Sequence, residues 1–200
     1  MITNLISLLG EYVDLEPDAK SFLEQNIPIE YYRKGDILLE EGEVADCMFV
    51  ILQGCVRTYF RKDGVQNTIS LRKENEFCIS WESYITQTPS RFVIDCIEHC
   101  VIGRFAYDVE QEAYTRFPKI QEFSRVFKEF RLAKNQELIA NFVSMSPKDR
   151  YLNFIHNHHD LSQRVPQYIQ ASYLGISPES LSRIRRRLGQ EGYRAPESSK

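Results

Sequence analysis

The spacing of apolar residues changes twice along this chain. Over residues 2–27 apolar positions recur at helical intervals, with Leu5, Leu8, Leu9 and Val13 and then Phe22 and Leu23 on faces that can pack, so short helices are expected. From residue 29 to residue 105 the pattern shortens to β-rich runs such as the stretch from Met48 to Leu52, separated by Gly, Asp and Asn. Gly35, Gly42, Gly54 and Gly64 punctuate these runs about every ten residues, and Asp63-Gly64 is a two-residue hairpin signal. A barrel or sandwich of strands is predicted. After Tyr107 the helical period returns, and Pro118 opens a long helix of about 25 residues. Along it Ile120, Phe123, Phe127, Phe130, Lys134, Leu138 and Asn141 follow alternating three- and four-residue steps. That seam predicts a paired helix and a homodimer, with Phe123, Phe127, Phe130 and Leu138 in the interface.

The last third of the chain adds punctuation of its own. Ser146-Pro147 caps a helix from residue 148 to about 156, and the segment 164–166 leads into QYIQASYLGISPESLSRIRRRL at 167–188. Ala171 suits a close helix crossing, and Gly175 suits a turn needing positive φ. Leu174, Ile176, Leu181 and Ile184 supply the apolar contacts of a helix-turn-helix. Ser177 can cap the second helix, Pro178 fits its first turn and Glu179 complements its dipole. With Leu181, Ile184 and Leu188 inward, Glu179, Ser182, Arg183 and Arg186 share the opposite face, flanked by Ser180 and Arg187. Such a face carries the donors and acceptors that read base edges in a major groove.

Composition narrows the classes. Two hundred residues, 42% of them hydrophobic, can bury a core. No apolar run is long enough to cross a bilayer, and no basic segment followed by a long apolar one opens the chain, so a cytoplasmic address without membrane contact is expected. Five cysteines with no C-x-x-C pair favour reduced, buried thiols over a disulfide framework or a zinc or iron-sulfur site. The net charge of −3 is unevenly placed: from Ser144 onward nine Lys/Arg face five Asp/Glu, a net +4, leaving −7 on the residues before it. A basic end on an acidic body suits local contact with phosphates. G-x-S-x-G, glycine-rich phosphate loops and H-E-x-x-H are all missing from the sequence, so an enzyme is not expected.

The β segment carries further signatures. Lys34-Gly35-Asp36, Glu41-Gly42-Glu43, the strand from Met48 to Leu52 and Gln53-Gly54-Cys55-Val56 resemble the cyclic-nucleotide-binding β-roll. Joined to a long helix and a C-terminal helix-turn-helix, the whole chain resembles the Crp/Fnr family of bacterial transcription regulators. The resemblance implies an α+β fold: a β-roll (double-stranded β-helix or jelly roll) effector domain at 1–112, a dimerisation helix at 113–143 and a DNA-binding domain at 144–200. It also implies double-stranded DNA, a second copy of the chain, RNA polymerase and a small-molecule effector as partners. Glu179-Ser-Leu-Ser-Arg183 matches the E-x-x-S-R pattern with which one branch of the family reads bases. Ser177, Glu179, Ser180, Ser182, Arg183, Arg186 and Arg187 are therefore the candidate DNA contacts.

Two parts depart from the family pattern. Cyclic-nucleotide binders place Gly-Glu early in the phosphate cassette, to hold the ribose, and Arg-Ser or Arg-Thr later, to hold the phosphate. Aligning Phe77 with the cassette's first aromatic puts Ile79-Ser80 and Ser90-Arg91 at those places, so both charged anchors are displaced. Arg91 and Glu82 could stand in only if the loop shifts. The pocket candidates are Phe77, Ser80, Trp81, Glu82, Ser90 and Arg91; the effector is unknown, no cofactor is expected and cyclic nucleotide is unexpected. No cysteine precedes Cys47, unlike the iron-sulfur branch, and His156, His158 and His159 do not share a helix face that could hold a metal. Cys96 and Cys100 are expected in the core. Residues 189–200 are too short and polar for the family's two-stranded wing. The rival reading is a β-roll ligand- or protein-binding module that no longer reads DNA.

Overall fold

The computed structural model describes residues 15–193. The helices expected around Leu5, Leu8, Leu9 and Val13 lie outside the described residues, as does most of the segment expected to lack a wing. Helix α1 (Pro17–Asn26) opens on a proline at its first turn and buries Ala19, Phe22 and Leu23. Eight strands follow: β1 (Ile29–Tyr32), β2 (Ile37–Leu39), β3 (Cys47–Gln53), β4 (Val56–Lys62), β5 (Val65–Arg72), β6 (Phe77–Cys78), β7 (Val93–Cys96) and β8 (Cys100–Ala106). They form two antiparallel four-stranded sheets, ordered β1-β8-β3-β6 and β2-β7-β4-β5. Asp63-Gly64 joins β4 to β5 with positive φ at both residues, the backbone a two-residue hairpin needs.

The two sheets close on each other because their inner faces are apolar. Val50, Ile51, Val56, Ile94 and Ile102 are buried between and beneath them, and the Thr58 hydroxyl reaches the Cys78 thiol of the other sheet at 3.5 Å. Gly54 is constrained by space as well as conformation: at φ +96° a Cβ there would lie 2.5 Å from the His99 carbonyl and 2.6 Å from Cys100 Sγ. All five cysteines are buried and unpaired by disulfides. Burial pushes the Cys47 thiol up to about 12, Arg104 acting against it, so this thiol resists becoming a thiolate.

The helices pack as two groups. After α2 (Trp81–Thr86), which interrupts the roll, come α3 (Tyr107–Arg116) and the 27-residue α4 (Pro118–Ser144). Then α5 (Pro147–Asn157), α6 (His159–Arg164), α7 (Gln167–Tyr173) and α8 (Pro178–Gln190) complete the chain. Helices α2 and α6 have six residues each, less than two turns, so the hydrophobic period that marks longer helices could not announce them. No described helix is long and apolar enough to cross a membrane.

A buried carboxylate ties α3 to its neighbours. Glu110 lies in the core, accepts hydrogen bonds from Tyr84 Oη at 2.7 Å and from Tyr114 Oη, and has Lys128 Nζ at 3.7 Å. Burial first, then the hydrogen bond to this carboxylate, raises both tyrosines above their ordinary range, so they remain donors.

The second core joins the roll to the helices that follow α4. Tyr151, Phe154, Ile155, Leu161, Val165, Ile169, Leu174, Leu181 and Leu188 pack together with Cys55, Leu71 and Ile97 of the roll. Polar contacts reinforce this junction. Ser172 of α7 pairs with the free edge of β5, accepting from Thr68 N at 2.8 Å and donating to the Gln66 carbonyl at 2.9 Å. Arg164 binds Glu74 at 2.7 Å and Glu98, and Lys73 binds Asp160 at 2.8 Å. The helical end is thus docked on the roll.

Candidate nucleic-acid interface

Helices α7 and α8 meet at Gly175, whose φ of +65° returns the chain across α7. Gly175 N and Ile176 N donate to the Ser172 and Ala171 carbonyls, each at 3.0 Å, closing the end of α7. A side chain at Gly175 would press on Phe142, since a Cβ would lie 2.6 Å from the ring. Arg150, which sequence reasoning passed over, fastens this turn to α4. Its guanidinium donates to the Leu174 carbonyl at 3.0 Å, Phe142 at 3.2 Å and Met145 at 3.0 Å, and lies 4.7 Å over the Phe142 ring. Nothing in local sequence pattern distinguishes such an arginine, because its partners lie on two other elements.

Helix α8 begins where its punctuation requires. Ser177 Oγ accepts from Ser180 N at 3.2 Å, Pro178 fills the first turn, and Leu181 and Leu188 turn into the second core. The opposite face is open: Glu179, Ser182, Arg183, Arg186 and Arg187 are exposed and Ser180 is half-buried. Glu179 is held below the usual carboxylate range by its own backbone N–H and the Ser177 hydroxyl, so it is an acceptor at neutral pH. Arg183 donates to Ser180 Oγ at 3.0 Å, which extends it along the helix face. Two candidates are partly occupied. The Ser177 hydroxyl is used as the cap, and Arg187 is paired with Glu191 at 3.0 Å, itself bound to Lys148 at 2.9 Å.

The six pocket candidates do not converge. Ser80 and Ser90 are buried and share a hydrogen bond at 2.9 Å, and Ser90 Oγ also bonds the Phe92 carbonyl and N–H. These hydroxyls already have their partners. Glu82 and Arg91 instead face solvent, 4.0 Å apart, with Arg91 over the Phe92 ring. Neither turns inward to replace a ribose or phosphate anchor. Trp81 is half-buried at the start of α2, while Phe77 leaves the cassette to pack edge-on against Phe127 at 5.1 Å.

That contact also divides the residues chosen for subunit pairing. Phe123 stacks on Phe127 at 5.9 Å, and both line the apolar crevice between α4 and the roll with Leu23, Met48, Phe77 and Phe105. Phe130 and Leu138 face solvent, together with Val126, Leu132, Ile139, Phe142 and Val143. The first half of the heptad-like seam therefore serves this chain's own roll, and the free apolar surface lies on the second half. A seam of period 3.5 cannot distinguish these two uses.

Residues 29–116 match the family model of the cyclic nucleotide-binding domain. Solved structures extend the likeness over both ends. FixK2 from Bradyrhizobium japonicum is 14% identical with a TM-score of 0.72, over 86% of this chain and 89% of that one. The c-di-GMP responsive global regulator CLP of Xanthomonas campestris is 16% identical with a TM-score of 0.70, over 92% and 96%. The catabolite activator protein of Thermus thermophilus is 16% identical with a TM-score of 0.55, over 92% and 89%. The chain has the Crp/Fnr fold. At these identities the likeness speaks for architecture, and side-chain roles rest on the geometry above. A comparison with curated protein sequences gives no match.

Proposed function

We propose that this protein is a DNA-binding transcription regulator of the Crp/Fnr type, a homodimer that reads a pseudo-palindromic operator with α8. The observation that carries this reading is the form of α8: a capped helix, seated on a buried core, with Glu179, Ser182, Arg183 and Arg186 open on one side. Glu179 accepts from a cytosine amine, Arg183 donates to guanine, and Arg186 and Arg187 meet phosphates. Two copies related by a two-fold axis place their reading helices in successive major grooves, about 34 Å apart. The exposed apolar half of α4, with Leu132, Ile139 and Val143, supplies the pairing surface. In this reading RNA polymerase is the partner through which the bound dimer acts.

The effector is a small molecule other than cyclic AMP or cyclic GMP. Support comes from Ser80 and Ser90, which satisfy each other where charged anchors are needed, and from Glu82 and Arg91, which face solvent. Selection from a random duplex library tests the function: enrichment of a two-fold symmetric motif is expected, and enrichment of none favours the ligand- or protein-binding module. Sedimentation of Ile139→Glu, expected to run as a monomer where wild type runs as a dimer, tests the pairing surface.

A further inference from the structure

The helical end is fastened to the rest of the chain at two separated places. The first is the joint after α4, where Met145 leads directly into the Ser146 cap of α5 and Arg150 clamps the Phe142 and Met145 carbonyls. The second is the dock of α6 and α7 on the roll. Arg164, the last residue of α6, donates from Nη1 and Nη2 to the two oxygens of Glu74 at 3.0 and 2.7 Å, and from Nε to Glu98 at 3.1 Å. Glu74 lies in the turn between β5 and β6, and Glu98 in the turn between β7 and β8, so one guanidinium spans two turns of the roll. Glu74 is itself anchored, its Oε1 accepting from Gly54 N at 2.8 Å. On α7, Ser172 holds the β5 edge through Thr68 and Gln66.

The apolar and polar parts of this dock do different work. Leu161 and Val165 belong to the buried core shared with Cys55, Leu71 and Ile97 of the roll, and apolar contact is non-directional, so it holds the surfaces together while tolerating sliding. A guanidinium fork on a carboxylate, and a hydroxyl paired with both a strand N–H and a carbonyl, are directional and fix the angle. That angle passes to α8. Gly175 N and Ile176 N close the end of α7, and Leu181 is fully buried in the same core, so the pose of α7 sets the pose of the helix that follows it.

We propose that Arg164 and Ser172 are positioning residues that determine operator spacing: they fix the angle of α8 on its own roll, and thereby the one half-site separation that the dimer accepts. This rests on reading α8 as the helix that enters the major groove of a two-fold operator. One base pair added between half-sites carries the far one along by about 3.4 Å and turns it by about 35°. A helical end held at the joint alone can swing to follow; held at joint and dock, it must first break a directional contact. Neither residue touches DNA in this reading, so the half-site sequence stays with Glu179 and Arg183 while the spacing belongs to the dock.

Selection by the full chain from duplexes in which the half-site separation is varied one base pair at a time tests this. Wild type should enrich one separation. The double variant Arg164→Ala, Ser172→Ala should enrich the same half-site sequence, with its preference for that separation over the neighbouring ones reduced by roughly tenfold or more. Arg164→Lys, which keeps the charge but cannot span both carboxylates, should fall between the two. Arg187→Ala should weaken binding and leave the separation unchanged. Hydrogen exchange without DNA gives a second readout: the Thr68 amide, which donates to Ser172, should exchange faster in Arg164→Ala. If the double variant fails to fold, Arg164→Ala alone decides. The proposal is overturned if the variants keep the wild-type separation preference, if their half-site sequence changes with it, or if Thr68 exchange does not respond to Arg164→Ala. A wild-type motif whose separation survives in the variants removes the dock and leaves the DNA reading standing; no two-fold motif from wild type removes both.

Discussion

Two regions of this molecule, α8 and the cassette around α2, treat polar groups in opposite ways. On α8 the groups that contact DNA in our proposal point outward on a helix whose other side is fully buried at Leu181. In the cassette around α2 the groups are short hydroxyls, buried and bonded to one another, while Glu82 and Arg91 stay outside. A recognition surface needs donors and acceptors held in place but left unpaired; a closed polar cluster is stable because nothing is left over. The difference is why our proposal places recognition on α8 and not in the cassette.

The largest test removes the support beneath the open face. Leu181→Ala should destabilise the protein by about 2–5 kcal/mol in chemical denaturation, with loss of DNA binding following from loss of the helix. A stable variant that still binds would mean the reading helix does not depend on this core. Next, Arg183→Ala should lower discrimination at one base pair per half-site by about 1–3 kcal/mol without altering stability. Arg187→Ala should weaken all sequences alike and flatten the salt dependence by a smaller amount, since Glu191 already engages this side chain. An unchanged selected motif in Arg183→Ala would remove this arginine from base reading.

On the closed side, Ser90→Ala leaves Ser80 Oγ and the Phe92 N–H without a buried partner, at a cost of about 1–3 kcal/mol. Calorimetry should show no cyclic AMP binding before or after the change; tight binding by wild type would reopen the cassette.

The smallest effect concerns the junction. Burial tends to raise the Glu74 carboxyl, but hydrogen bonds from Arg164 and from backbone N–H groups outweigh it and hold the group below its ordinary range. A depressed pKa contributes stability that is present above the usual carboxylate range and is lost as pH falls through the lowered value. Arg164→Ala should therefore destabilise the protein at neutral pH by under about 1 kcal/mol, this pair being partly exposed, and the deficit should shrink under acid. A deficit that grows as pH falls would contradict the assignment.

Much of this fold can be read locally. Asp63-Gly64 specifies a hairpin by backbone conformation alone, and Ser177, Pro178 and Gly175 mark α8 and the turn before it within a dozen residues. Glu179, Ser182 and Arg183 lie on one exposed face because Leu181 and Leu188, at helical spacing, claim the other. The cassette was legible only as far as the displacement of its anchors; that Ser80 and Ser90 bond each other follows from loop closure between α2 and β7.

By itself the sequence determined the order of elements, the hairpin, the helix-turn-helix and the character of its polar face, because these depend on φ, capping and periodicity within short stretches. Only the tertiary structure decided which part of α4 is free. Phe123 and Phe127 have the same spacing as Phe130 and Leu138, yet β6 and the roll claim the first pair. It also decided that Ser172 completes the edge of β5 and that Glu110 is held by Tyr84 and Tyr114. Each of these joins residues whose pairing is set by sheet register and helix docking, and a one-dimensional period carries no record of which distant surface a side chain will meet.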